Sequence, residues 1–166
     1  GVCAAKGFKA SGLYCGIKNN PTKKNDIALL VSDVVCNTAG VYTQNKVKGA
    51  PVIVTKKNLE KTGGKAIAVI VNSKNANTCN ADGVEKASKM CSLVSAELGI
   101  DENDVIVAST GVIGQVLPIE PIEKGMKSLC EGLSYEGNKA ALEAIMTTDT
   151  QPKEVAVQFE IGGKTC

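Results

Sequence analysis

The chain has 166 residues, of which 43% are hydrophobic, 22% charged and 3% aromatic, and its formal net charge is +2 at pH 7. This length and composition predict one soluble globular domain over residues 1–166, with an aliphatic core because tryptophan is absent. The small charge, carried by dispersed lysines, argues against a nucleic-acid-binding protein.

Two residue types are missing: histidine does not occur, and all 19 basic residues are lysines. Without histidine, the chain cannot form a Ser-His-Asp or Cys-His catalytic group or the common zinc sites, so we predict no metal site. Seven cysteines occur without a Cys-x-x-Cys pair, which favours a reducing, cytoplasmic location. Neither a signal peptide nor an apolar run long enough for a membrane span is present, so no membrane association is predicted.

Strand-forming residues dominate the first part of the chain. Short β-rich segments separated by turn residues, including a turn at 19–21, predict strands at 14–17, 26–32, 40–43 and 51–55. The continuous apolar run 66–71 predicts a strand that is buried on both faces. The glycine pair 63–64 before this run predicts a hairpin turn, as does the pair 162–163 near the end of the chain.

Helices alternate with strands in the second half. Residues 84–98 predict an amphipathic helix with Asp82 as N-cap, Glu85 completing a capping box, and Gly99 ending the helix. Further helices are predicted at 121–131 and 138–146, and further strands at 104–109 and 155–161. This order of elements predicts a layered α/β or α+β fold.

A Thr-Gly step follows the predicted strand 104–109. It can direct two neighbouring N–H groups, or one N–H and the Thr110 hydroxyl, at a single point, because Gly111 permits a sharp turn. Each donor directed at a developing oxyanion is worth on the order of 3 kcal/mol. Taken alone, however, this pair favours an ordinary strand-to-loop turn with a capping threonine.

Two other polar segments are candidates for a binding pocket. The segment 72–77 holds three asparagines and a serine, whose side chains can bind a carboxylate or amide, although an Asx-turn is the simpler interpretation. The segment 147–150 (Thr-Thr-Asp-Thr) can line a pocket or satisfy the last carbonyls of the preceding helix. Because no recognisable nucleophile accompanies these segments, we interpret the chain as part of an acyl-transfer enzyme whose attacking residue lies elsewhere.

Five separated motifs occur along the chain, at residues 1–16, 46–52, 72–83, 109–114 and 144–150. In sequence, order and spacing they resemble the motifs of the ornithine acetyltransferases, the bifunctional enzymes of arginine biosynthesis. The resemblance implies the α chain of a precursor that cuts itself before a threonine. The new N-terminal threonine of the β chain would carry the acetyl group from N-acetylornithine to glutamate, and its free amine would act as its base.

The resemblance also implies the architecture and the partners of the protein. The fold would be a layered α/β/β/α sandwich similar to N-terminal-nucleophile hydrolases, completed by the β chain in an α2β2 heterotetramer. No cofactor is implied, although some members of the family accept acetyl-CoA as a further acetyl donor. By motif match, Thr110 and Gly111 would form the oxyanion-stabilising pair, and Thr148, in preference to Thr147, would contact the acetylated substrate.

Asn75 and Asn77 would bind substrate or shape the pocket by the same match. The sequence departs from the family pattern at Lys74, where glycine is usual, and at residues 80–83, which replace a shorter turn. We also expect a family member to continue beyond Cys166, through a segment with a substrate-binding lysine, to the cleavage point.

Two alternatives stay open. A self-cleaving amidase or aminopeptidase would have the same layered fold and would hydrolyse an amide or peptide. A non-catalytic binding or scaffold domain would account for the absence of a nucleophile.

Overall fold

A mixed four-stranded sheet forms the centre of the computed structural model, which describes residues 1–18 and 21–166. Its strands lie in the order β1-β2-β3-β4 and comprise Phe8–Leu13, Ile27–Asn37, Lys65–Asn72 and Val105–Ser109, respectively. The first three strands are antiparallel neighbours, whereas β3 and β4 are parallel. The mixed α/β class predicted from the sequence is therefore confirmed.

Three helices cover one face of this sheet: α1 (Ala50–Lys61), α2 (Gly83–Leu98) and α3 (Glu120–Glu131). The apolar core lies between them and the sheet, and its fully buried members include Ile27, Leu29, Ile70, Val94, Leu117 and Met126. Helix α2 forms the crossover between the parallel strands β3 and β4, as parallel pairing requires. Residues 99–104 lead from α2 to the start of β4, at the end of the sheet opposite residues 73–77.

Helix α4 (Asn138–Ile145) packs on the other face, against β1 and β2. Small residues allow the close contact: a Cβ atom at Gly12 would lie 2.0 Å from the Ala140 carbonyl oxygen. Val69 and Val71 pair with β2 residues on this same face but are only half-buried. Helix α4 therefore covers only part of this second face.

The predicted strands at 26–32, 66–71 and 104–109 are confirmed as β2, β3 and β4. The run 66–71 is not buried on both faces, however, because its residues alternate between buried and half-buried. The partial cover by α4 explains this alternation.

Three predicted strands were wrong. Residues 51–55 lie in α1, where proline at the first turn is compatible with a helix start and outweighs the β-branched side chains that follow it. Residues 14–17 form an irregular segment that bends at 16–17, and residues 40–43 also lie in an irregular segment. The glycine pair 63–64 joins α1 to β3 and does not form a hairpin turn, and the turn predicted at 19–21 lies partly outside the described residues.

The predicted helices match α2, α3 and α4 to within one residue at each end. Gly99 ends α2 in the left-handed conformation with φ 67°, and its N–H donates to the Ser95 carbonyl (2.9 Å). The capping box was wrong, because the Asp82 side chain makes no hydrogen bond to the described backbone of the first turn. It pairs with Lys86 at 2.8 Å instead, and the hydrogen bond from Lys86 lowers the pKa of Asp82.

The end of the chain forms an exposed hairpin of β5 (Glu160–Ile161) and β6 (Lys164–Thr165). The glycine pair 162–163 makes its turn, as predicted, but only the last two residues of the predicted strand 155–161 are a strand. Across the described ranges 1–18 and 21–166, no helix combines the length and apolarity that a bilayer crossing needs.

Candidate functional site

Two of the predicted polar segments lie side by side at the carboxyl ends of β3 and β4. Because these strands are parallel and Asn72 pairs with Ser109, the following segments 73–77 and 110–114 leave the sheet together. Crevices at the carboxyl ends of parallel strands are frequent ligand sites in α/β proteins. The sheet register thus brings together residues that are more than 30 positions apart in the sequence.

Backbone hydrogen bonds hold these two segments together beyond the sheet. The Val112 N–H donates to the Lys74 carbonyl (2.9 Å), and the Ala76 N–H donates to the Val112 carbonyl (2.9 Å). The Gly114 N–H donates to the Thr78 carbonyl (2.9 Å). We call residues 73–77 and 110–114 together the paired loops.

Asn72 fixes the base of the paired loops. It belongs to the candidate segment 72–77, but the sequence predicted no individual role for it. Its side chain is fully buried, and Oδ1 accepts a hydrogen bond from the Ser109 hydroxyl (2.6 Å). Its Nδ2 donates to the carbonyls of Asn75 (2.9 Å) and Ser73 (3.2 Å). The signal in the sequence was a polar amide directly after an apolar strand, where a buried amide needs partners.

The sequence left two possible donor pairs at the Thr110–Gly111 turn: two neighbouring N–H groups, or one N–H and the Thr110 hydroxyl. The structure favours the second pair. The Thr110 N–H donates to the Asn72 carbonyl (3.0 Å), so it is already used. The N–H of Val112 is also used, whereas neither the Gly111 N–H nor the Thr110 hydroxyl has an acceptor among the described residues. The Gly111 N–H and the Thr110 hydroxyl are therefore the donors that the turn leaves for a ligand.

Gly111 is required at this position by conformation and by space. Its φ of 137° is one that side-chain-bearing residues rarely adopt. A Cβ atom would also lie 2.1 Å from the carbonyl carbon of Lys74 and 2.5 Å from the backbone nitrogen of Asn75. The close approach of the two loops thus depends on glycine.

Asn75 and Asn77 are buried inside the paired loops. The Asn75 side chain accepts the Asn77 N–H (2.8 Å) and donates to the Gln115 carbonyl (2.9 Å). The Asn77 side chain donates to the Gly83 carbonyl (2.8 Å). Because both amides contact protein groups, the geometry favours a role in shaping the pocket, and direct substrate contact by these residues stays a prediction.

Thr147 and Thr148 are exposed and follow α4 directly. The Ser73 hydroxyl donates to the carbonyl of Ala144 near the end of α4, which places the helix end beside the paired loops. The third predicted polar segment therefore lies at the same end of the sheet as the other two.

Two further residues of this region, Asp26 and Lys18, escaped the sequence analysis. The Asp26 carboxylate is fully buried and accepts N–H donors from Cys15 (2.8 Å), Gly16 (3.1 Å) and Lys18 (2.9 Å). Burial lowers the pKa of Lys18, and the nearby Asp26 carboxylate opposes that shift. The available signal is Asp26, a charged residue at the start of the apolar run, which the predicted strand 26–32 includes.

Attacking groups are scarce in the described part of the chain. Burial raises the pKa of Cys15 and Cys91 to about 12 and that of Cys130 to about 11, so these thiols stay protonated at neutral pH. The described residues contain no cluster of three side chains placed to hold a metal ion. What the site offers is a pair of neutral hydrogen-bond donors at an exposed turn.

Lys74 carries backbone strain that a mutation can test. Its φ is 77°, a left-handed conformation that costs a residue with a Cβ atom about 1–2 kcal/mol. We expect Lys74→Gly to raise the free energy of unfolding by about 0.5 kcal/mol, since part of that gain is offset by the greater freedom of glycine in the unfolded chain. Urea unfolding measures the change, and a destabilised Lys74→Gly protein would contradict the assigned strain.

Comparisons with known proteins agree on one family. The ArgJ family model matches residues 9–166. A relative from Symbiobacterium thermophilum, named arginine biosynthesis bifunctional protein ArgJ, is 48% identical over 166 residues, covering 99% of this chain and 41% of the relative. An ArgJ protein from Caldanaerobacter subterraneus is 47% identical over 160 residues, covering 96% of this chain and 38% of the relative. The chain thus spans about two fifths of the length of these curated relatives.

Two crystal structures have the same fold. ArgJ from Bacillus halodurans superposes with a TM-score of 0.86 at 38% identity, covering 99% of this chain and 84% of that chain. Ornithine acetyltransferase complexed with ornithine, from Mycobacterium tuberculosis, gives a TM-score of 0.85 at 35% identity, covering 95% of this chain and 82% of that chain. These matches confirm the fold class and the family resemblance predicted from the five motifs, and the chain belongs to the ArgJ family of arginine biosynthesis.

Proposed function

We propose that this chain is the α subunit of an acetyltransferase that moves the acetyl group of N-acetylornithine to glutamate. The observation that carries the proposal is the Thr110–Gly111 turn, which keeps one N–H and one hydroxyl without an acceptor among the described residues. A backbone N–H and a neighbouring hydroxyl that are both available to a ligand suit the oxyanion of an acyl-transfer intermediate. Membership of the ArgJ family supports the acetyl group as the one that is transferred.

The chemistry requires a nucleophile from the second chain. We assign this role to the N-terminal threonine of a β chain, whose free amine takes the proton of the attacking hydroxyl. Attack on the acetyl carbonyl forms an oxyanion, which the Gly111 N–H and the Thr110 hydroxyl stabilise. The protonated threonine amine gives this proton to the ornithine nitrogen as the amide C–N bond breaks, and ornithine leaves. The glutamate amine then attacks the acetyl-threonine, and its proton passes through the threonine amine to the threonine oxygen as the ester bond breaks, which regenerates the enzyme. Acetyl-CoA would enter as an alternative donor at the first step, and no cofactor takes part.

The remaining predicted residues take supporting roles in this proposal. Thr148, or its neighbour Thr147, contacts the acetylated substrate from the end of α4, where both hydroxyls are exposed. Asn75 and Asn77 hold the paired loops in shape. We place the reaction in the cytoplasm, consistent with seven cysteines that are all free thiols.

An incompletely covered sheet face supports a β chain as partner. Leu30, Val69 and Val71 line an apolar groove of about 400 Å³ beside α4. The last segment of the chain also exposes alternating apolar side chains, with Val155 81% and Val157 78% exposed. Apolar surfaces of this kind mark contacts with another chain, and a second sheet in this position would complete the α/β/β/α layers.

The lengths of the relatives support a divided enzyme as well. This chain covers 41% of a curated ArgJ sequence but 84% of a crystallised ArgJ chain. A crystallised chain of the family is therefore roughly half as long as a full curated sequence. Such a ratio is expected if a precursor is cut into two chains, which we propose assemble as an α2β2 heterotetramer.

An assay of the complete protein with N-acetylornithine and glutamate tests this function. We expect acetylglutamate and ornithine to form in equal amounts without release of acetate, and intact mass spectrometry to find two chains, the second beginning with threonine. Release of acetate instead of acetylglutamate would favour the amidase alternative. An uncut protein without either product would favour the binding-domain alternative.

A further inference from the structure

Lys18 connects the segment after β1 to the segment that carries Thr147 and Thr148. Its Nζ donates to the Met146 carbonyl (2.9 Å) and to the Asn25 carbonyl (2.7 Å). Met146 is the residue at which the chain leaves α4, with an extended conformation of φ −69° and ψ 137°. A lysine ammonium at this point satisfies a carbonyl that the helix itself leaves unpaired.

Asp26 fixes the backbone from which Lys18 reaches the helix end. Its buried carboxylate accepts three N–H groups from residues 15–18, including that of Lys18 itself. Because one side chain accepts all three of these N–H groups, it fixes the backbone conformation of residues 15–18. The Asp26 carbonyl also accepts the Ser73 N–H (2.9 Å), which joins this segment to the paired loops.

The end of α4 is thus held at two carbonyls from two directions. Lys18 binds the carbonyl of Met146, and the Ser73 hydroxyl binds the carbonyl of Ala144. Both contacts depend on Asp26. The Asp26 carboxylate accepts the Lys18 N–H, and the Asp26 backbone carbonyl accepts the Ser73 N–H. Lys18 is only half-buried, and it lies at a bend rather than in the apolar core.

We propose that Lys18 is a positioning residue: its ammonium holds the Thr147–Thr148 segment in register with the Thr110–Gly111 turn. It acts on the substrate only through that segment and does not contact the reacting atoms. This inference rests on the proposed function, in which Thr148 or Thr147 binds the acetylated substrate. It identifies a lysine that would set the affinity for N-acetylornithine without supplying any of the chemistry.

Steady-state kinetics of the complete protein test the kinetic part of the inference. We expect Lys18→Met to raise KM for N-acetylornithine about tenfold while kcat changes less than about twofold. Lys18→Arg should restore most of the affinity, because a guanidinium still donates to carbonyls. Lys24→Met is the matched control, since it removes the same charge from an exposed neighbouring position, and its KM should equal that of the unchanged protein.

A double-mutant cycle separates positioning from direct contact. In a Thr147→Ala/Thr148→Ala background, adding Lys18→Met should raise KM by less than about twofold, because the segment that Lys18 positions has already lost its contact with the substrate. A full tenfold effect in that background would overturn the inference, and so would a Lys18→Met protein whose kcat falls while KM stays unchanged.

Amide hydrogen exchange supplies a readout that needs no activity. Residues 144–150 should exchange faster in Lys18→Met than in Lys24→Met, with the other described segments unchanged in both. If the unchanged protein transfers no acetyl group, the proposed function fails while this measurement still tests the role of Lys18. Equal exchange of residues 144–150 in the two variants would show that Lys18 does not position this segment.

Discussion

Replacing Thr110 with valine in the complete protein should lower kcat by about 10²–10³-fold and leave KM nearly unchanged. Valine has almost the shape of threonine but lacks the hydroxyl, one of the two donors without a protein acceptor at the turn. Loss of a single oxyanion donor reduces kcat by this factor in acyl-transfer enzymes, because the donor acts mainly in the transition state. The Thr110 N–H still reaches the Asn72 carbonyl, so the loop itself should keep its shape.

Thr110→Ser is the control for this experiment because it keeps the hydroxyl and removes only a methyl group. Its kcat should stay within about threefold of the unchanged protein, whereas the valine variant should show the large loss. Initial rates of acetylglutamate formation measure both. A Thr110→Val protein with normal turnover would show that the hydroxyl does not stabilise the oxyanion.

Replacing Gly111 with alanine should be harmful to turnover and stability together. The new Cβ atom would lie 2.1 Å from the carbonyl carbon of Lys74, and the φ of 137° is unfavourable for alanine. The paired loops must therefore separate, which moves the Gly111 N–H away from its target. We expect kcat to fall at least about 10²-fold and the free energy of unfolding to fall by about 2 kcal/mol.

Gly114→Ala is a matched comparison within the same loop. Gly114 also has a positive φ, 76°, but a Cβ atom there would have no neighbour within 4 Å among the described residues. It should lose only about 1 kcal/mol of stability and keep near-normal turnover. Urea unfolding and initial rates compare the two variants, and equal effects at both glycines would contradict the assigned crowding at Gly111.

Periodicity in the sequence predicted the helices and strands whose structure depends mainly on their own residues. Helix α2 was found because its apolar side chains repeat at helical spacing and Gly99 ends it, and β3 was found as a continuous apolar run. Helix α1 was missed because the Val-Ile-Val run within it has strand-forming residues. This segment is nevertheless a helix because of its packing, which buries Val54 in the core between the helices and the sheet.

The candidate site was predicted as separate segments, and the structure shows how these segments contact one another. Motif matching identified Thr110, Gly111 and the asparagines, but it could not show that the Thr110 N–H is already bonded to Asn72. The roles of Asp26 and Lys18 depend on contacts with Ser73 and Met146, which are 47 and 128 positions away, respectively. Local sequence patterns carry no information on contacts at such separations.

Because of the crossover between β3 and β4, inserted residues should have different effects at the two ends of the sheet. Hydrogen bonds hold residues 73–77 at almost every position, and Lys74 and Ala76 are bonded to Val112 in the neighbouring loop. Inserting one residue there would therefore shift the donors of the Thr110–Gly111 turn relative to the strand ends. Residues 99–104 lie at the far end and contact α1, through bonds from Asn58 to the Glu102 carbonyl (3.4 Å) and from Lys61 to Asn103 (3.0 Å). Sheet pairing holds β4 in register with β3. An insertion at 99–104 should therefore weaken these contacts and lower stability, but it should leave the spacing of the donors at the Thr110–Gly111 turn unchanged.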